Sequence, residues 1–142
     1  PGSVALAKWA LKEGCPRLGA GYTLAEHAAE HGHRELVQWL LQEQGFGLSR
    51  FVMRKAAWSG SLELVEWLGG AGCPWDAKAC QFAAQGGHLR VLQWLRAEGC
   101  PWDTATCKYA ASRGHLETLR WACENGCDWD AETCVHAAAE RG

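Results

Sequence analysis

Apolar side chains of two sizes recur along this chain at a common step. Small pairs stand at Ala28-Ala29, Ala56-Ala57, Ala83-Ala84, Ala110-Ala111 and Ala137-Ala138, separated by 28, 27, 27 and 27 residues. Bulky Trp9, Trp39, Trp67, Trp94 and Trp121 follow at steps of 30, 28, 27 and 27. Gly14-Cys15, Gly45-Phe46, Gly72-Cys73, Gly99-Cys100 and Gly126-Cys127 mark the same period. Three independent markers on one period define internal repetition, the signature of stacked or propeller architectures. Within the unit from Cys100 to Gly126, Asp103 is a natural N-cap for a helix from Thr104 to about Arg113. Cys107, Ala110 and Ala111 lie at i, i+3 and i+4 on one face of that helix. Gly114 ends it, and a second helix begins near His115. This second helix turns Leu116, Leu119, Trp121 and Ala122 inward and Arg120 and Glu124 outward, and Gly126 ends it. Pro74, Pro101 or Asp128 then follows, and nothing in the unit alternates with period two.

A hairpin with one short, small-residue helix and one bulky helix cannot bury both of its faces alone. Stacking on its neighbours does so, which predicts an all-α solenoid of helix-turn-helix repeats. A closed four-helix bundle is the alternative, and the short fixed period argues against it. The units read as about 15–45, 46–72, 73–99 and 100–126, between half-repeats at 4–14 and 127–142, as one array over 4–142. Pro1-Gly2-Ser3 reads as an expression leftover outside the fold. The ragged ends predict a segment of a longer array or of a larger protein, acting as a monomer.

Composition sharpens the picture. Hydrophobic residues make up 48% of the chain and charged residues 21%, which excludes disorder. No apolar stretch approaches a membrane span. Lys and Arg number 14 against 16 Asp and Glu, a net charge of −2, so no basic nucleic-acid footprint is visible. Nine Trp and eight Cys are unusual. The helix series accounts for five Trp, Trp75, Trp102 and Trp129 form another series at the same step, and Trp58 alone stands apart.

At Ala110-Ala111-Ser112-Arg113-Gly114-His115-Leu116-Glu117 the sequence resembles the A-A-x-x-G-H-x-E core of ankyrin repeats, with similar copies at Ala83 to Leu89 and Ala28 to Glu35. The unit is 27 residues rather than about 33, and the shortfall falls between Gly72-Cys73 and Cys80, where the family carries its β-hairpin finger. Gln81, Lys108 and Val135 stand where the family's box histidine would be. The resemblance therefore implies a finger-less, ankyrin-like array, whose cysteines 100 and 107 occupy positions the family gives to Ala and Leu. It also implies a concave face lined by the first helices, with the residues flanking Ala-Ala contacting a partner.

On that basis the candidate partner-binding residues are Lys55, Trp58, Ser59, Phe82, Gln85, Tyr109, Ser112, Arg113 and His136, with Trp58 near the centre. The function expected is non-catalytic recognition of another protein, against the alternative of a structural spacer in a larger repeat protein. No catalytic, cofactor or metal motif is present. Cys73 and Cys80, Cys100 and Cys107, and Cys127 and Cys134 are each seven apart, with no Cys-x-x-Cys. Equivalent cysteines one helix spacing apart, about 8–10 Å, lie beyond disulfide reach. Buried thiols are expected, with a disulfide inside a unit or a zinc set of Cys123, Cys127, Cys134 and His136 as alternatives. Cys123 reads as a surface thiol. His33, His88 and His115 are expected to orient the turns through a ring bond to a loop carbonyl, and His27, His31 and His136 to be exposed. The helix Trp are expected in the core, and the Trp75/Trp102/Trp129 series either as a structural ladder or as a binding strip. Cysteines without a disulfide framework, and no visible signal peptide, point to a reducing, cytoplasmic interior.

Overall fold

The computed structural model describes residues 2–13, 24–43, 47–133, 135 and 139. Regular structure among them is helical, with no strand. The elements are α1 (Gly2–Lys12), α2 (Leu24–Glu30), α3 (Arg34–Glu43), α4 (Arg50–Ser59), α5 (Leu62–Gly70), α6 (Ala77–Gln85), α7 (Leu89–Ala97), α8 (Thr104–Ser112) and α9 (Leu116–Glu124). The pairs α2/α3, α4/α5, α6/α7 and α8/α9 are hairpins. Helices α2, α4, α6 and α8 form one layer, each packed on the next, while α1 packs on α3 and α5 on α7 in the other. The fold is an all-α, ankyrin-like repeat array.

Side-chain size explains the two layers. The Ala pairs of α2, α4, α6 and α8 are all buried, so these helices approach closely. The second layer supplies bulk from Leu36, Val37 and Leu40, then Leu64, Val65 and Leu68, then Val91, Leu92 and Leu95, all buried. Each such side chain contributes about 1.5–3 kcal/mol of burial.

The breaks between helices have a common chemistry. After α6, the Gly87 N–H donates to Ala84 O at 3.1 Å and the His88 N–H to Ala83 O at 2.9 Å. These are the two bonds of a Schellman ending, with Gly87 at φ +73°. The carbonyls that accept belong to the Ala pair itself. Asp76 caps the start of α6, its carboxylate accepting from Lys78 N–H at 3.1 Å.

Three kinds of contact join the units from residue 46 onward. The His88 Nε2 bonds Trp58 O at 2.9 Å and His115 Nε2 bonds Gln85 O at 3.0 Å. A carbonyl only accepts, so Nε2 carries the proton. The thiols of Cys73, Cys100 and Cys127 donate back to the N-cap carbonyls of Ser49, Asp76 and Asp103, at 3.3, 3.4 and 3.3 Å. Third, Arg54 pairs with Asp76, Gln81 Nε2 donates to both carboxylate oxygens of Asp103 at 3.1 and 3.0 Å, and Lys108 pairs with Glu132 at 2.9 Å.

Several expectations are corrected. Trp9 is 62% exposed, not core, while Trp39 is buried and Trp67, Trp94 and Trp121 are half-buried against the core. Leu116 is exposed, because position 118, where Thr118 is buried, takes the inward place beside Leu119. His33 is exposed and meets His31 edge-on instead of anchoring a turn. The histidine bonds of His88 and His115 reach the preceding unit, not a local loop. Trp75 and Trp102 do not stack on each other. Each meets the helix Trp of its own unit edge-on, Trp75 with Trp94 at 6.1 Å and Trp102 with Trp121 at 5.8 Å. Trp129 is 56% exposed. Cys123 is half-buried rather than a surface thiol. Cys15, Cys134 and His136 lie outside the described residues.

Candidate functional site

The first-helix layer leaves one side uncovered. On α4, the face opposite Ala56 and Ala57 carries Phe51, Lys55 and Trp58, at i, i+4 and i+7. On α6 the matching stripe is Lys78, Phe82 and Gln85. On α8 it is Ala105, Tyr109 and Ser112, with Arg113 at the cap. The 27-residue period sets these stripes side by side, so the array presents a row of aromatic side chains across consecutive helices.

A shallow groove of about 240 Å³ opens in this row, lined by Glu30, Lys55, Trp58, Phe82 and Gln85. Four of the nine candidate residues thus share one depression, drawn from α4 and α6. The Trp58 and Phe82 rings meet edge-on with centroids 6.3 Å apart, which fixes both rings and leaves each half-buried. Lys55 Nζ lies 3.6 Å from the Glu30 carboxylate across the groove. Tyr109 continues the row on α8 at 36% exposure.

The other candidates stand differently. The Ser59 hydroxyl donates to Ala56 O at 2.7 Å and accepts from Ser61 N–H at 3.2 Å, so it serves the turn. The Ser112 hydroxyl donates to Tyr109 O at 3.1 Å. Arg113 is exposed at the end of α8. His136 lies outside the described residues. Phe51, 45% exposed with the Arg50 and Arg54 guanidiniums 5.4 and 4.8 Å from its ring centre, was not among the candidates, nor was Lys78. The i, i+4, i+7 spacing to Trp58 and Gln85 is the signal that marks them.

A larger depression of about 320 Å³ lies on the second-helix side, lined by Gln93, Arg96, Ala97, Trp102, Trp121 and Asn125. Two of its polar groups are engaged in holding the fold. Arg96 donates to Cys100 O at 2.6 Å and sits 4.2 Å over the Trp102 ring, and Asn125 donates to Trp121 O at 2.8 Å. The Gln93 amide also lines it, outside these bonds.

The thiols are core chemistry. Cys73, Cys80, Cys100, Cys107 and Cys127 are free and buried. Burial pushes the Cys73 thiol up to about 11. Its hydrogen bond to Cys100, then burial, push the Cys80 thiol well above the usual thiol range. At neutral pH such groups stay protonated and are poor nucleophiles. The spatially close pair, Cys80 with Cys100 at 3.5 Å, joins two units, which the seven-residue spacings did not indicate. Among the described residues, no three His, Cys, Asp or Glu side chains form a metal-holding group, and no helix is long and apolar enough to cross a membrane.

This face, built from tandem helical hairpins with small first helices, is that of a repeat protein. Residues 20–50 match the family model of the ankyrin repeat. That match covers one segment of the chain, and the stacked all-α fold around it is ankyrin-like. Ankyrin repeats mediate protein–protein interaction. No curated protein matches the sequence.

Proposed function

We propose that this chain is a non-catalytic scaffold that binds a partner protein along its first-helix face. In this reading 15–45, 46–72, 73–99 and 100–126 are its units, between half-units at 4–14 and 127–142. The observation that carries the reading is the groove at Lys55, Trp58, Phe82 and Gln85, side chains from successive helices set around one depression. Trp58 and Phe82 are rigid, half-buried aromatics, the kind of anchor that dominates binding energy when a partner completes the burial. Tyr109, Ser112 and Arg113 extend the same surface along α8, and Ser59 belongs to its edge.

The test is affinity capture with mass-spectrometric identification, comparing the natural chain with Trp58→Ala/Tyr109→Ala and with Arg120→Ala on α9. Proteins retained by the natural chain and by Arg120→Ala, but lost by the double variant, are expected. Capture unchanged by the double variant contradicts the reading and favours a structural spacer.

A further inference from the structure

We propose that the first-helix face takes an acidic segment of its partner protein, seating an apolar side chain against the Trp58 and Phe82 rings with carboxylates on either side. This rests on the function proposed above and specifies its ligand. A net charge of −2 conceals an asymmetry across the array. Helices α2, α4, α6 and α8 carry five Lys or Arg against two Glu. Helices α1, α3, α5, α7 and α9 carry six against six.

The carboxylates near the aromatic row already hold partners within the protein. Glu30 lies against Lys55, Asp76 against Arg54, Asp103 accepts from Gln81, and Glu132 pairs with Lys108. The cations around the row include several with no such commitment. Lys78 and Arg113 are exposed, and neither has a carboxylate within ion-pair distance among the described residues. Lys78 stands four residues before Phe82, and Arg113 four after Tyr109, so helix geometry puts each on the stripe of its aromatic neighbour. Arg50 edges the exposed Phe51 ring. An aromatic row bounded by cations complements an apolar anchor flanked by negative charge. A nucleic acid would also meet cations and aromatics. The few exposed cations, on a chain of net charge −2, favour a short protein segment over a nucleic-acid backbone.

The experiment pans a library of short random peptides on the full chain and measures binding of those selected. The expected peptides carry an aromatic or Leu residue flanked by Asp and Glu. Their affinity should fall about fivefold in Lys78→Glu/Arg113→Glu, both exposed positions that leave the fold intact by circular dichroism. It should fall about tenfold or more in Trp58→Ala and be unchanged in Arg120→Glu. Peptides weakened by Trp58→Ala but without acidic enrichment overturn this inference and leave the first-helix reading standing. Peptides indifferent to Trp58→Ala overturn both. A library that yields no binder, or one outcompeted by labelled polythymidylate, also overturns the acidic-segment inference.

Discussion

At the residue scale, the joint between units is a fit of one glycine to one ring. A Cβ on Gly87 would lie 2.6 Å from His115 Nδ1 and 2.7 Å from its Cε1, and the backbone there has φ +73°. Two costs therefore coincide, a left-handed backbone and a displaced ring. Gly87→Ala is expected to lower stability by about 2 kcal/mol in urea unfolding. His115→Ala alone is expected to cost about 1 kcal/mol, the hydrogen bond to Gln85 O. Combined, the two should cost less than their sum, because removing the ring relieves the steric part. Additive or greater losses would mean that the ring and the glycine do not meet. The Gly-His pair was legible in the sequence as a turn signal. That the histidine of one unit closes over the glycine of another was not, because sequence gives the order of units but not their rotation about the stacking axis.

At the element scale, the first helices α4, α6 and α8 are each tied to the start of the next. Arg54, Gln81 and Lys108 occupy equivalent positions and bond the N-cap region 22 to 24 residues on. The resemblance had marked Gln81 and Lys108 only as substitutes for an absent histidine. Their role emerges when the N-cap carboxylate is seen to face the preceding helix. The hydrogen bond from Arg54 holds the Asp76 carboxyl below its ordinary value of 3.8, against the opposing effect of burial. A depressed folded-state value means stability that is present above 3.8 and lost as pH falls through the folded value. Arg54→Met should therefore cost about 1.5 kcal/mol near neutral pH. The gap between it and the natural chain should close as the solution is acidified past the carboxylate range. A gap that persists in acid, followed by urea midpoint against pH, would show that Arg54 acts through packing alone.

At the scale of the whole molecule, the period made the architecture legible because small and large apolar residues report on two distinct layers. It failed at places where periodicity and environment part. Trp9 keeps the step of its series but is 62% exposed on α1, and Leu116 keeps an apolar identity at an outward position. The candidate face was marked as the residues flanking Ala-Ala, and Lys55, Trp58, Phe82 and Gln85 line one groove. Phe51 and Lys78 escaped because they lie one turn earlier on the same stripe. The two faces of the array differ in kind. On the second-helix side Arg96, Trp102 and Trp121 spend their contacts on the fold, whereas the first-helix side holds rigid aromatics half covered. The most direct measurement of this division is an amide chemical-shift map of the chain titrated with a library-selected peptide. Shifts centred on Lys55, Trp58, Phe82, Gln85 and Tyr109 are predicted. Shifts centred on Arg96, Trp102 and Trp121, with the first helices unmoved, would contradict the account.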